Sequence, residues 1–363
     1  MATKAATWAY RDRFHEAFAR TYFRRFADCL VSSIGIGTYL GEPTAAVDER
    51  YHDAIVEALE SGINVVDTAV NYRNQRSERI VGEAIVDADI DRDAVMVSTK
   101  GGFVPFDGSR PADPSAYVSE QFLDTGLVDA ESIVRGNCIA PAFIEWSLDR
   151  SLENLGVDSI DLYYVHNPET QLERFDRETV YDTLEETFTR LERRAAAGDI
   201  RHYGVATWQC FRVPKTADQY LSLPEVVRRA RSASDRAGTN GTHFRAIQLP
   251  FNVHMADAFT VEAHDGPDGP QSALGFANDA GLDVFTSASI LQGDLADEGA
   301  IPDAVDSMLS GETPAQRALN FARSAPGVTC SLVGTGSPNH VAENVAAGTF
   351  EPMGANAFDS VFE

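Results

Sequence analysis

A (β/α)8 barrel, the TIM barrel, is the fold this sequence predicts. Three observations carry the prediction: eight strand-like apolar runs, an amphipathic stretch after each, and a length of 363 residues that holds eight such units. The runs end near Gly37, Asp67, Lys100, His166, Thr207, Gln248, Ser287 and Gly334. The helical stretches that follow span roughly residues 46–61, 77–87, 141–155, 179–197, 217–237, 272–280, 313–324 and 338–346.

Each element has a local reason. The first run closes on Gly35-Ile-Gly37, and its helix places Ile55, Ala58 and Leu59 on one face before Gly62 stops it. The second run, Asn64-Val-Val-Asp67, closes on an aspartate, and the third, Ala94-Val-Met-Val-Ser-Thr-Lys100, is an apolar run that ends on a lysine. The fourth is Asp161-Leu-Tyr-Tyr-Val-His166. The last helix opens with Ser337-Pro338, a good N-cap followed by a good first-turn residue. A doubly wound open sheet is the rival architecture. It requires Gly-x-Gly-x-x-Gly after the first strand, and the third glycine is missing here.

The expected organisation is one barrel domain over residues 33–346. An N-terminal helix and hairpin at 1–32 cap its bottom, and a tail occupies 347–363. Three connections exceed ordinary loop length, at 103–140, 252–271 and 294–312. All follow strands, so in a barrel they rise from the C-terminal face.

The formal net charge is −25, with 55 acidic and 30 basic residues. Only three of the basic residues are lysines: Lys4, Lys100 and Lys215. A dispersed acidic surface poor in lysine is expected of a protein working in molar salt, which screens the self-repulsion. Nucleic acid and anionic membranes are excluded as partners, since both require basic patches. No run of about 18 apolar residues is present, so no membrane span is expected. The four cysteines, Cys29, Cys138, Cys210 and Cys330, are widely spaced and read as free thiols in a reducing cytoplasm. No metal site is expected.

Against that background Lys100 stands out. Lysine is rarely buried unless paired, and its pKa moves readily when it is. In a barrel, polar residues at strand C-termini read as catalytic. Asp67, Lys100 and His166 close three successive strands, and Tyr72 follows Asp67 by five residues. A tyrosine hydroxyl titrates near about 10, too high for neutral acid–base work, and an adjacent buried ammonium lowers it. Asp67 keeps that ammonium charged, and His166 orients an incoming carbonyl. Together they let Tyr72 donate a proton as hydride arrives, or remove one in reverse.

Asp67-Thr-Ala-x-x-Tyr72, Ser77-Glu78-x-x-x-Gly82, Ser98-Thr-Lys100, Asp161-x-x-x-x-His166 and Gly204-Val-Ala-Thr207 together resemble the aldo/keto reductase signature. The resemblance covers residues 33–346. It implies a barrel that binds an extended nicotinamide cofactor, with Tyr72 as general acid, Lys100 and Asp67 tuning it and His166 orienting the carbonyl. It implies NADP(H), with NAD(H) as the alternative, and a small-molecule carbonyl or alcohol as substrate.

By the same resemblance Gln248 holds the nicotinamide carboxamide. Thr207 stands in place of an asparagine beside it, and Ser287 in place of a stacking tyrosine. Gly334, Gly336 and Ser337 resemble the adenosine-phosphate segment, and Glu343 and Asn344 the adenine-contacting pair. Relatives that prefer NADPH place Arg or Lys near Gly336 and His340, and here Arg323 is the compensating candidate. Two rivals remain. One is a nucleotide-binding regulatory subunit with little turnover, similar to channel β-subunit relatives. The other is a glycosidase using Asp67 and Glu169 as paired carboxylates.

Overall fold

The computed structural model describes residues 1–363. Eight parallel strands close into a barrel: β1 (Ile34–Gly37), β2 (Val65–Asp67), β3 (Met96–Gly101), β4 (Ile160–His166), β5 (Ile200–Ala206), β6 (Phe244–Pro250), β7 (Asp283–Ser287) and β8 (Val328–Gly334). Each strand pairs with the next in sequence, and β8 pairs back onto β1 through Ser331↔Ile34 to Gly334↔Gly37. Closure leaves no sheet edge, so every strand hydrogen-bonds on both sides.

The outer layer is α1 (Ala45–Glu60), α2 (Arg76–Asp87), α3 (Pro141–Leu155), α4 (Arg177–Ala197), α5 (Leu223–Ala237), α6 (Ala273–Asp279), α7 (Pro314–Ser324) and α8 (Pro338–Ala347). The expected α3 is matched at both ends, because Pro141 pre-sets its first turn and Gly156, at φ +62°, takes the left-handed position after its last. The expected start of α5 at 217 is corrected to Leu223. There Ser222 accepts from the Glu225 amide and Pro224 lies in the first turn, and these start signals outrank the upstream periodicity. Strand ends shift by a residue or two: β3 runs on to Gly101, β5 stops at Ala206 and β6 reaches Pro250.

Two apolar layers result. The barrel interior holds Val65, Met96, Leu162, Tyr164, Ala206, Ala246, Phe285, Cys330 and Leu332, each pointing inward from its strand. Phe26, from the antiparallel hairpin Phe23–Phe26/Cys29–Ser32, joins this cluster and plugs the bottom. A larger core of 63 residues fills the space between strands and helices. Gly82 lets α2 meet α3, since a Cβ there would lie 2.4 Å from the Leu155 carbonyl oxygen. All four cysteines are buried and unpaired. No helix is long and apolar enough to cross a membrane.

The long connections carry structure of their own. Residues 103–140 contain a helix at Pro114–Val118 that passes into a wider turn at Ser119–Leu123. They build a satellite core of Phe122, Val128 and Cys138 on Phe143, with Trp146 packed against it, so most of the segment covers α3 rather than the barrel mouth. Residues 252–271 form a short helix, Asp257–Thr260, and the hairpin His264–Gly266/Gly269–Gln271.

Candidate active site

The parallel register lines the upper rim in a fixed order. Gly334 lies opposite Gly37, Gly37 opposite Asp67, and Asp67 opposite Ser98. Farther round, His166 lies opposite Ala206, and Ala206 opposite Gln248. Residues separated by up to about 300 positions in sequence therefore share one mouth.

Lys100 is fully buried, and its ammonium donates to Asp67 Oδ2 at 2.5 Å and to the Thr68 carbonyl at 2.8 Å. Burial alone pushes the lysine pKa down. The Asp67 charge and hydrogen bond, with Tyr72, more than offset it, and the net shift is upward. Asp67 is in turn fixed at Oδ1 by Ser98 Oγ at 2.7 Å and by Gln248 Nε2 at 2.9 Å.

The Tyr72 ring lies 4.9 Å from the Lys100 ammonium, in cation–π range, and 6.1 Å from the His166 ring, centroid to centroid. Its loop is pinned at both ends. The Val70 amide donates to the Lys100 carbonyl at 3.1 Å, and Arg73, Asn74 and Gln75 then take left-handed φ of 48°, 58° and 68°. Three consecutive left-handed residues persist only when their surroundings hold them. The buried Arg73 guanidinium does so, donating to the Glu42 carbonyl at 3.1 Å and to Asp48 at 2.6 Å. The next motif residue, Glu78, is fully buried and accepts from Thr99 at 2.6 Å and Asn154 at 2.8 Å, tying α2 to β3 and α3.

The expectation for Tyr72 is corrected in sign. Burial raises its pKa more than Lys100 lowers it, so the phenol holds its proton above the ordinary tyrosine range. His166 moves the other way. Burial, then the Lys100 charge, holds its pKa well below normal, so the imidazole is neutral. Its Nδ1 is buried without a partner. Its carbonyl accepts from Asn137 Nδ2 at 2.9 Å, and Phe103 presents an edge to its ring at 5.1 Å. Gly102, at φ +145°, packs so close that a Cβ would sit 2.7 Å from the His166 carbonyl oxygen. Asn137, Gly102 and Ser98 carried no assigned role in the sequence, because the partner that explains each is distant along the chain.

The expected cofactor residues divide. Gly334, Gly336 and Ser337 form an open loop between β8 and α8. A Cβ on Gly334 would meet only Leu40, at 3.6 Å, and one on Gly336 only Tyr51, at 4.0 Å, so the backbone there is approachable. Ser337 caps α8 by accepting from the His340 amide. Ser287 ends β7 on the same rim, half-buried.

Others are already engaged. The Gln248 amide is on Asp67. Thr207 donates to Glu169 Oε1 at 2.7 Å, and the same oxygen accepts from the Trp208 and Gln209 amides at 2.8 and 2.9 Å. Asn344 is buried, with its amide on Thr335 Oγ1 at 2.7 Å, and Glu343 accepts from Thr313 Oγ1 at 2.5 Å. As they stand, Asn344 braces the loop and Glu343 ties α8 to the start of α7.

Arg323 does not serve the 2′-phosphate. It donates to Ser33 Oγ at 3.0 Å and to the Ala347 carbonyl at 2.9 Å, at the end of the barrel opposite Gly336. The glycosidase reading also loses its carboxylates, since Asp67 is held by Lys100, Ser98 and Gln248, and Glu169 organises the turn after β5.

A buried acid–lysine pair beside a tyrosine and a neutral histidine, on the rim of a closed barrel, accords with one family. A model of the aldo/keto reductase family matches residues 33–223, more than half of the chain. The chain belongs to the aldo/keto reductase family. A putative voltage-gated potassium channel subunit beta from Schizosaccharomyces pombe is 23% identical over 333 residues, covering 88% of this chain and 85% of that protein. An NADH-specific methylglyoxal reductase from Escherichia coli is 29% identical over 218 residues, covering 59% of each. Among solved structures, an aldo/keto reductase from Klebsiella pneumoniae in complex with NADP and acetate aligns with a TM-score of 0.61 at 20% identity, covering 94% of each chain. That last likeness is one of fold.

Proposed function

We propose that this aldo/keto reductase transfers hydride between a nicotinamide cofactor and an aldehyde or ketone, or the corresponding alcohol or sugar, with Tyr72 as the general acid–base. The observation that carries the reading is the buried Lys100–Asp67 pair under the Tyr72 ring. The bound cofactor supplies or accepts the hydride. Tyr72 gives its proton to the carbonyl oxygen as that oxygen gains charge. Lys100 lies close enough to stabilise the resulting phenolate, and Asp67 keeps Lys100 charged where water is excluded. His166, held neutral, offers a hydrogen bond that orients the carbonyl without adding a charge.

The residues present fit a nicotinamide dinucleotide. The open backbone of Gly334 and Gly336 and the first amides of α8 suit its phosphates. Gln248 would exchange Asp67 for the carboxamide, and Ser287 and the Thr207 turn would border the ring. Asn344 would shape the adenine end through the loop it braces, with Glu343 beside it on α8. With no arginine or lysine at 336 or 340 to grip a 2′-phosphate, we propose that NAD(H) is accepted alongside NADP(H). The acidic, lysine-poor composition supports a cytoplasm rich in salt as its setting.

A second reading, a nucleotide-binding regulatory subunit with little turnover, is favoured by the likeness, over 88% of this chain, to the putative potassium channel subunit beta. One titration tests the first requirement of both. In molar KCl, quenching of tryptophan emission by NADPH or NADH is expected, since Trp208 is 40% exposed immediately after Thr207. Absence of binding by folded protein rejects the cofactor. Binding without reduction of any short aldehyde supports the regulatory reading.

A further inference from the structure

The closed bottom of the barrel holds a feature at odds with the rest of the surface. A cavity of about 490 Å³, wide open to solvent, lies there, bordered by Arg20, Arg24, Arg25 and Arg323 together with Ser324 and Met353. No aspartate or glutamate lines it, in a chain with 55 acidic and 30 basic residues. Most arginines of this protein sit within salt-bridge distance of a carboxylate. These four do not. Arg24 donates to main-chain carbonyls of Thr21 at 3.3 Å, Val328 at 2.6 Å and Arg323 at 2.7 Å. Arg323 is 1% exposed, uses Nε on Ser33 and Nη1 on Ala347, and leaves Nη2 as a buried donor with no partner. One carboxylate, Glu351, stands at the edge of the cavity: it accepts from the Arg20 amide at 2.9 Å and its charge reaches Arg323, but it is within salt-bridge distance of none of the four guanidinium groups.

Burying unpaired guanidinium groups is unfavourable. The cost shows in Arg24 and Arg323, both of which burial pushes down to about 10. A small oxyanion in the cavity would lie in the field of all four guanidinium groups, with exposed Arg20 and Arg25 free to turn onto it, and planar guanidinium groups match oxyanion geometry.

We propose that this cavity is a binding site for a phosphate-type oxyanion, separate from the cofactor rim. It joins three segments that are remote in sequence. Arg24 and Arg25 come from the N-terminal hairpin, Val328 begins β8, and Pro352 and Met353 belong to the tail after α8. A bound oxyanion therefore fastens the hairpin and the tail to the barrel. The chemistry fits inorganic phosphate and a phosphate monoester equally.

Calorimetric titration of the full chain with inorganic phosphate tests this, with KCl holding ionic strength constant. One-to-one binding is expected, together with a rise in melting temperature. Glucose 6-phosphate, run in parallel, shows whether an ester enters as well as the free ion. Arg24→Gln removes three carbonyl bonds and risks the fold. The deciding variant is the double replacement Arg20→Gln/Arg25→Gln, whose side chains are exposed, with circular dichroism to verify folding. It should weaken phosphate binding by about tenfold or more, the loss expected from removing charge-assisted partners. Unchanged affinity in the double variant would put the phosphate elsewhere and overturn the proposal. So would the absence of both heat and stabilisation in the unmodified protein, or an equal effect from chloride at matched ionic strength.

Discussion

The Lys100 ammonium meets the Asp67 carboxylate at 2.5 Å where neither side chain is open to solvent. Removing one member of a buried, hydrogen-bonded pair strands the other charge, at a cost of about 3–5 kcal/mol. Asp67→Asn should therefore lower stability by that order, read as a reduced urea midpoint, and lower turnover as well. An Asp67→Asn protein with unchanged midpoint and turnover would mean the pair serves neither stability nor chemistry.

Lys100→Met tests the chemistry more narrowly. Lys100 is the main influence holding the Tyr72 pKa down against burial, so without it the pKa rises further and phenolate formation becomes harder. Carbonyl reduction should fall by about 10²–10⁴-fold, the usual weight of a positioned acid. Tyr72→Phe should lose a similar factor while cofactor affinity, measured by fluorescence, stays close to that of the unmodified chain. Full turnover in either variant rejects Tyr72 as the acid.

The pH dependence of stability has a definite sign on the acid side. His166 is held well below its ordinary pKa, and His202 is pushed down to about 4, burial being the first cause in both. A depressed folded pKa contributes stability that is complete above the unfolded value, about 6.5 for histidine, and is lost as pH falls below it. Each such group adds a slope of about 1.4 kcal/mol per pH unit in that window. His166→Asn should remove one proton's worth of that slope. An identical acid limb would show that His166 titrates freely.

Gly102→Ala places a methyl 2.7 Å from the His166 carbonyl oxygen, at a φ that alanine resists. We expect a folded barrel with displaced His166. The KM for the carbonyl should rise more than affinity for the cofactor changes. Unaltered steady-state kinetics would show that the site tolerates movement of β4's last residue.

His340→Arg supplies the cation that the α8 start lacks. His340 is exposed, so the change should leave stability within about 0.5 kcal/mol. NADPH should bind about tenfold tighter while NADH is little affected, as expected for one added charge-assisted contact to phosphate. Equal gains for both cofactors would place position 340 away from the 2′-phosphate.

By itself the sequence determined the barrel, because its signals are local. Continuous apolar runs, Pro141 opening α3, Gly156 closing it and Ser337 capping α8 act within a few residues of themselves. The four rim residues Asp67, Tyr72, Lys100 and His166 were legible for a related reason: in a barrel, the end of a strand is already a position in space. Tertiary structure decided what closure alone brings together. It put Gln248 on Asp67 and Thr207 on Glu169, folded residues 103–140 onto α3, and carried Arg323 to the bottom beside the N-terminal hairpin. It also reversed the shift of Tyr72, since burial depends on everything packed around the ring while the Lys100 charge is a single neighbour.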